Sequence, residues 1–112
     1  METNRNLGEF EHVLLLAILR LKGEGAYGVS IQNEISARTK RKPSAGAIYT
    51  TLERLEGKDL VRSSIGEATP ERGGRAKRYY EVTKQGLAAL RRVHNDYRSL
   101  LQGVDLVGEF NG

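Results

Sequence analysis

The 112-residue chain has no cysteine, no tryptophan, two prolines, one methionine and two histidines. Without cysteine there is no disulfide framework and no thiolate metal site, which permits a cytoplasmic location. No run approaches the ~18 apolar residues that a membrane span needs. Met1 to Asn6 is polar and lacks the basic-then-apolar pattern of a signal peptide. His12 and His94 have no carboxylate pair and no second histidine at metal-ligand spacing. No cofactor, metal or catalytic constellation is expected, and the chain does not read as an enzyme. One motif points the other way, because Gly23-Glu24-Gly25-Ala26-Tyr27-Gly28 spells G-x-G-x-x-G. A dinucleotide fingerprint needs a strand before it and a helix after it. Here a strongly helical segment precedes the glycines, so a helix-to-helix connection accounts for them.

What the chain does contain is globular: 38% hydrophobic and 29% charged residues in a length suited to one domain. Its formal charge of +4 is unevenly spread. Between Arg38 and Arg78 eleven basic residues face five acids, a local +6 that leaves −2 for the rest. Positive charge confined to the middle of a small domain suits a polyanion docked on one surface, although a solvated charged face would look similar. A short chain also buries a modest fraction of its surface, so association between subunits would help it.

Glu9 to Leu21 is too apolar for a helix with one buried stripe and predicts a central helix contacted on most sides. Tyr27, Ile31 and Ile35 mark a second helix, which fades before Pro43. Ser44 is placed to cap a third, whose Ile48, Leu52 and Leu55 form a buried stripe ending near Lys58. Leu60 to Ile65 and Lys77 to Val82 read as strands around a loop containing Pro70, Gly73 and Gly74. Thr83 then caps a last helix with Leu87, Leu90, His94, Tyr97, Leu101 and Val104 in steps of three and four. That stripe folds back on its own domain or meets a symmetric mate. The first helix, through Phe10, Val13 and Leu14, also wants partners, which favours a homodimer.

The expected architecture is mainly α with a small two-stranded β wing: a winged helix-turn-helix over 1–82 and a C-terminal dimerisation helix and tail over 83–112. The face of the third helix opposite its apolar stripe presents Gly46, Ala47, Thr50, Thr51 and Arg54, small or hydrogen-bonding side chains suited to a major groove. Ser44, with Lys40 and Lys42 in the turn before it, completes that surface. Arg72, Arg75, Lys77 and Arg78 bring four charges to a glycine-containing tip, suited to phosphate or minor-groove contact. Periodicity leaves Tyr49 on the edge between core and surface. The partner these features describe is double-stranded DNA; a winged-helix module for an acidic protein partner is the alternative.

Over roughly Leu7 to Leu101 the chain resembles the PadR family of bacterial transcriptional regulators. The resemblance rests on Leu7 to Leu19, Tyr27-Gly28, Ser44-Ala45-Gly46-Ala47-Ile48-Tyr49 with Leu52, Arg54 and Leu55, then Gly73-Gly74-Arg75, Tyr79 to Thr83, Gly86 and Leu90. It implies a dimeric winged-helix repressor whose C-terminal helices form most of the interface, with Tyr49 at or near DNA. Two features depart from the family pattern. Relatives often have Lys-Gly-Leu where this chain has Lys58-Asp59-Leu60, a turn that Asp tolerates at some cost. Many relatives carry a larger C-terminal helical domain, and here the aromatic floor for planar ligands is reduced to Tyr97. Room remains for a small-molecule effector that the residues do not specify.

Overall fold

The computed structural model describes residues 7–66 and 76–111. Its elements run α1 (Glu9–Arg20), α2 (Gly28–Arg38), α3 (Ala45–Gly57), β1 (Val61–Ile65), β2 (Arg78–Val82), α4 (Lys84–Leu101) and α5 (Leu106–Asn111). The strands pair antiparallel, from Val61 opposite Val82 to Ile65 opposite Arg78. This is the expected helical domain with a two-stranded wing. It carries one element more than expected, because the C-terminal segment holds two helices. The apolar stripe breaks after Leu101, where Gly103 takes φ +80° and Val104 lies in the turn rather than on the helix. Among the described residues no helix is long and apolar enough to cross a membrane.

Leu14, Leu15 and Ile18 of α1 pack against Ile31 and Ile35 of α2 and Ile48, Leu52 and Leu55 of α3. Leu16 alone among the apolar residues of α1 stays exposed, so the helix is central but not covered all round. Gly23 and Gly25 have φ of +88° and +95°, conformations that favour glycine in the turn joining α1 to α2. Gln32 of α2 donates to the Pro43 carbonyl at 2.8 Å and fixes the turn into α3.

At the end of α3, Asp59 donates its amide to Glu56 and Leu60 donates to Leu55, the two bonds of a Schellman cap. Asp59 occupies the left-handed position of that cap, with φ +63°. The wing is tied back by the Tyr80 amide, which donates to the Ala26 carbonyl at 2.8 Å. Thr83 caps α4 by accepting from the Gly86 amide at 3.1 Å and donates its hydroxyl to the Asp59 carbonyl at 2.6 Å. Gly86 must be small there, because a Cβ would strike the Leu60 carbonyl oxygen.

Only the first turns of α4 reach the core, through Gly86, Ala89 and Leu90. The remaining turns project from it. The radius of gyration is accordingly 16.4 Å, against ~13 Å for a compact chain of this length.

Candidate nucleic-acid interface

The outer face of α3 is laid down by its own periodicity. Ile48, Thr51, Leu52 and Leu55 point inward, which turns Ser44, Gly46, Ala47, Tyr49, Thr50 and Arg54 to solvent. Ser44 Oγ accepts the Ala47 amide at 3.1 Å and so starts the helix while remaining exposed. Glycine and alanine in the first turn leave the backbone open to close approach. Beyond them Thr50 offers a hydroxyl and Arg54 a long cation. Tyr49 is half exposed, at 50% of its surface, which resolves the sequence ambiguity in favour of the outer side.

Thr51 does not share that face. It is 4% exposed, three residues after Ile48 and four before Leu55, and so belongs to the buried stripe. Its polarity suggested an outward position, but the i, i+3, i+4, i+7 spacing with Ile48, Leu52 and Leu55 already placed it inside.

Cations flank this face on two sides. Lys40 and Lys42 are exposed in the turn preceding α3. At the base of the wing, Lys77 Nζ sits 3.6 Å above the Tyr27 ring, and Arg78 donates to Ser63 Oγ at 3.0 Å. Ser63 in turn donates to Glu56 of α3 at 2.7 Å, so the wing's arginine is linked to the helix. Arg72 and Arg75 lie outside the described residues. Other cations in the basic middle segment are engaged elsewhere: Arg41 pairs with Glu9 at 2.7 Å and Arg38 with Glu34 at 2.8 Å. Glu34 also holds Arg20, and hydrogen bonds from Arg20 and Arg38 keep its carboxyl below the ordinary value.

The residues expected at a dimer interface divide into three groups by burial. Leu14 is fully buried and Leu90 nearly so, both inside the core of one chain, because α4 begins by packing on α1. Neither is available to a second copy. Phe10 and Val13 pack partly against that core, and Leu87 is half-buried. His94, Tyr97, Leu101 and Val104 are exposed, as are Leu100, Leu106 and Val107. Arg98 donates to His94 Nδ1 at 3.3 Å, and the Tyr97 ring lies 6.4 Å from that of His12.

Tyr27 and Gly28 line one cleft with Tyr49, Lys77 and Arg78, although sequence reading did not place them there. Tyr27 reads as the first apolar position of α2 and Gly28 as part of a turn. Their partners, Lys77 and Tyr49, are distant in sequence, and no local pattern signals either contact.

Comparison with known proteins agrees with the fold. Residues 15–92 match the model of the Transcriptional regulator PadR-like family. A PadR family transcription regulator from Clostridium difficile is 23% identical and superimposes with a TM-score of 0.67, covering 92% of this chain and 99% of its own. One from Eggerthella lenta is 28% identical with a TM-score of 0.61, covering 85% and 80%. A winged-helix DNA-binding protein from STIV shares the fold at 16% identity and a TM-score of 0.62, covering 86% and 96%. The chain belongs to the PadR-like family of transcriptional regulators, which are DNA-binding proteins and not enzymes.

Proposed function

We propose that this regulator is a repressor that binds a roughly palindromic operator in double-stranded DNA as a homodimer. The observation that carries the reading is the α3 face, where Ser44, Gly46, Ala47, Tyr49, Thr50 and Arg54 stand exposed between two sources of positive charge. In this reading α3 enters the major groove, Lys40 and Lys42 meet phosphates at its start, and Lys77 and Arg78 meet them from the wing. Arg72 and Arg75 would extend that contact along the loop. Residues 1–82 hold the DNA surface and 83–112 most of the dimerisation surface. The exposed Tyr97, Leu100, Leu101, Val104, Leu106 and Val107 support a mate along α4 and α5, joined by Phe10, Val13, Leu87 and His94. Symmetric recognition helices about 34 Å apart would meet successive major grooves on one side of the duplex.

The test is binding to the DNA upstream of the protein's own gene, against scrambled duplex, across a salt series. Preference for the upstream fragment with affinity falling steeply in salt supports a specific regulator. Arg78→Ala should weaken both complexes and flatten the salt slope by about 1. Failure to bind either duplex at low salt would instead favour an acidic protein partner for the same surface.

A further inference from the structure

Two adjacent residues at the start of α2 each receive a side chain from one of the two DNA-contacting elements. We propose that Tyr27 and Gly28 are positioning residues that set Tyr49 of the recognition helix and Lys77 of the wing relative to each other. The proposal rests on the DNA-binding reading above and adds to it the device that holds the two contacts in register.

Gly28 is the first residue of an α-helix, where backbone geometry makes no demand for glycine and alanine would be favoured. Space makes the demand instead. A Cβ at Gly28 would overlap the Tyr49 hydroxyl and Cζ and come within 2.9 Å of Cε1. The Tyr49 ring therefore rests on the α2 backbone while staying half exposed. A side chain at position 28 would lift the ring and turn it away from its present direction.

Tyr27 does the corresponding work for the wing. Its ring carries Lys77 Nζ at 3.6 Å, a cation–π contact that orients the ammonium without neutralising it. Tyr27 is itself steadied edge-on by Tyr79, at 5.7 Å and 82°. The Tyr79 ring is pinned on both sides by backbone: a Cβ at Gly25 would sit 3.1 Å from Cε1, and one at Gly66 would sit 3.0 Å from Cδ2. Tyr27, Gly28, Tyr49, Lys77 and Arg78 together line one open cleft of about 640 Å³. The two contacts thus border the same groove, and the adjacent Tyr27 and Gly28 line it with them.

These roles predict different losses. Displacing Tyr49 should damage discrimination between sequences, whereas freeing Lys77 should weaken binding to every sequence. The test uses the full chain, the duplex that the wild type selects from a randomised pool, and a scrambled duplex of equal length. Gly28→Ala is expected to reduce preference for the selected duplex roughly tenfold, the scale of one lost base contact, with the thermal midpoint kept or raised. In a Tyr49→Ala background the same change should alter preference by less than about twofold. Tyr27→Leu should weaken binding to both duplexes alike, and Tyr27→Phe should restore it, because a ring suffices to hold Lys77. Equal losses from Gly28→Ala in both backgrounds, or no effect of Tyr27→Leu, would overturn the proposal. The seat can also be read without DNA: nuclear Overhauser contacts between the Tyr49 ring and Gly28 Hα are expected in the free protein, and their absence sinks the idea. A wild type that shows those contacts yet selects no duplex overturns the DNA-binding reading on which the proposal rests.

Discussion

At position 11 a carboxylate sits almost wholly out of water. Glu11 Oε1 accepts the Gly8 amide at 2.8 Å and Lys58 Nζ at 2.9 Å, which ties the start of α1 to the end of α3. Its Oε2 is buried with no hydrogen-bond partner among the described residues. Burial alone would push this carboxyl up, but the Gly8 amide, the Lys58 ammonium and the charge of Arg54 outweigh it and hold the group below 4.5. A carboxyl depressed on folding stabilises the protein above its unfolded value, and that contribution fades as pH falls through the folded one. The difference in urea midpoint between wild type and Glu11→Gln should therefore be constant near neutrality and shrink below about pH 4.5. A difference independent of pH would show that ionisation of Glu11 contributes nothing. Lys58→Met, which leaves the carboxylate buried without its cation, should cost about 2 kcal/mol. Neither partner was legible beforehand, since the pair is separated by 47 positions. Asp59 was legible, because the resemblance places Lys58-Asp59-Leu60 at a turn that relatives often fill with glycine. Asp59→Ala should destabilise by about 1 kcal/mol in a denaturant titration while Asp59→Gly should not, the penalty of φ +63° falling on the residue with a Cβ but no local hydrogen-bonding group.

Among the elements, α3 shows how far periodicity carries a site and where residue type misleads. Ser44 as its cap and Ile48, Leu52 and Leu55 as its stripe follow from spacing alone, and they orient the outer face without reference to the rest of the chain. Ser44→Ala should lower stability by about 1 kcal/mol in thermal or urea melts through loss of the bond to the Ala47 amide. Thr51 carries the opposite lesson, as a hydroxyl residue drawn into the core by its place in the turn. Thr51→Val should leave DNA affinity, sequence preference and salt slope unchanged, with stability within about 1 kcal/mol of wild type. A loss of binding without loss of stability would return Thr51 to the interface. The wing behaves differently from α3. Its second strand is announced by Tyr79, Tyr80 and Val82, but its attitude depends on the Tyr80 amide reaching Ala26 and on Tyr79 wedged between Gly25 and Gly66. Those contacts join segments that no window of sequence contains.

Viewed whole, the chain is a small core with a helix extending from it, 57 × 39 × 24 Å. Helix α4 leaves Tyr97, Leu100 and Leu101 in water, the middle one 75% exposed, which calls for a cover, and a second copy of the same helix would supply one. Leu100→Glu combined with Leu101→Glu should give monomers in sedimentation velocity with the thermal midpoint of the winged domain retained. Dimers that persist would move the interface elsewhere. Leu90→Glu is not an equivalent probe, since Leu90 lies in the core of one chain and its loss would unfold the domain. The first four helices, the Ser44 and Thr83 caps and the two strands could be read from the amino acids in order, because each depends on neighbours within a few positions, whereas α5 and the inward turn of Thr51 were not. The fold had to close before Glu11 met Lys58, Tyr49 settled on Gly28, Lys77 rose over Tyr27 and Leu90 turned inward. Those pairings follow from where the chain brings distant segments together, and spacing along the sequence carries no record of distance in space.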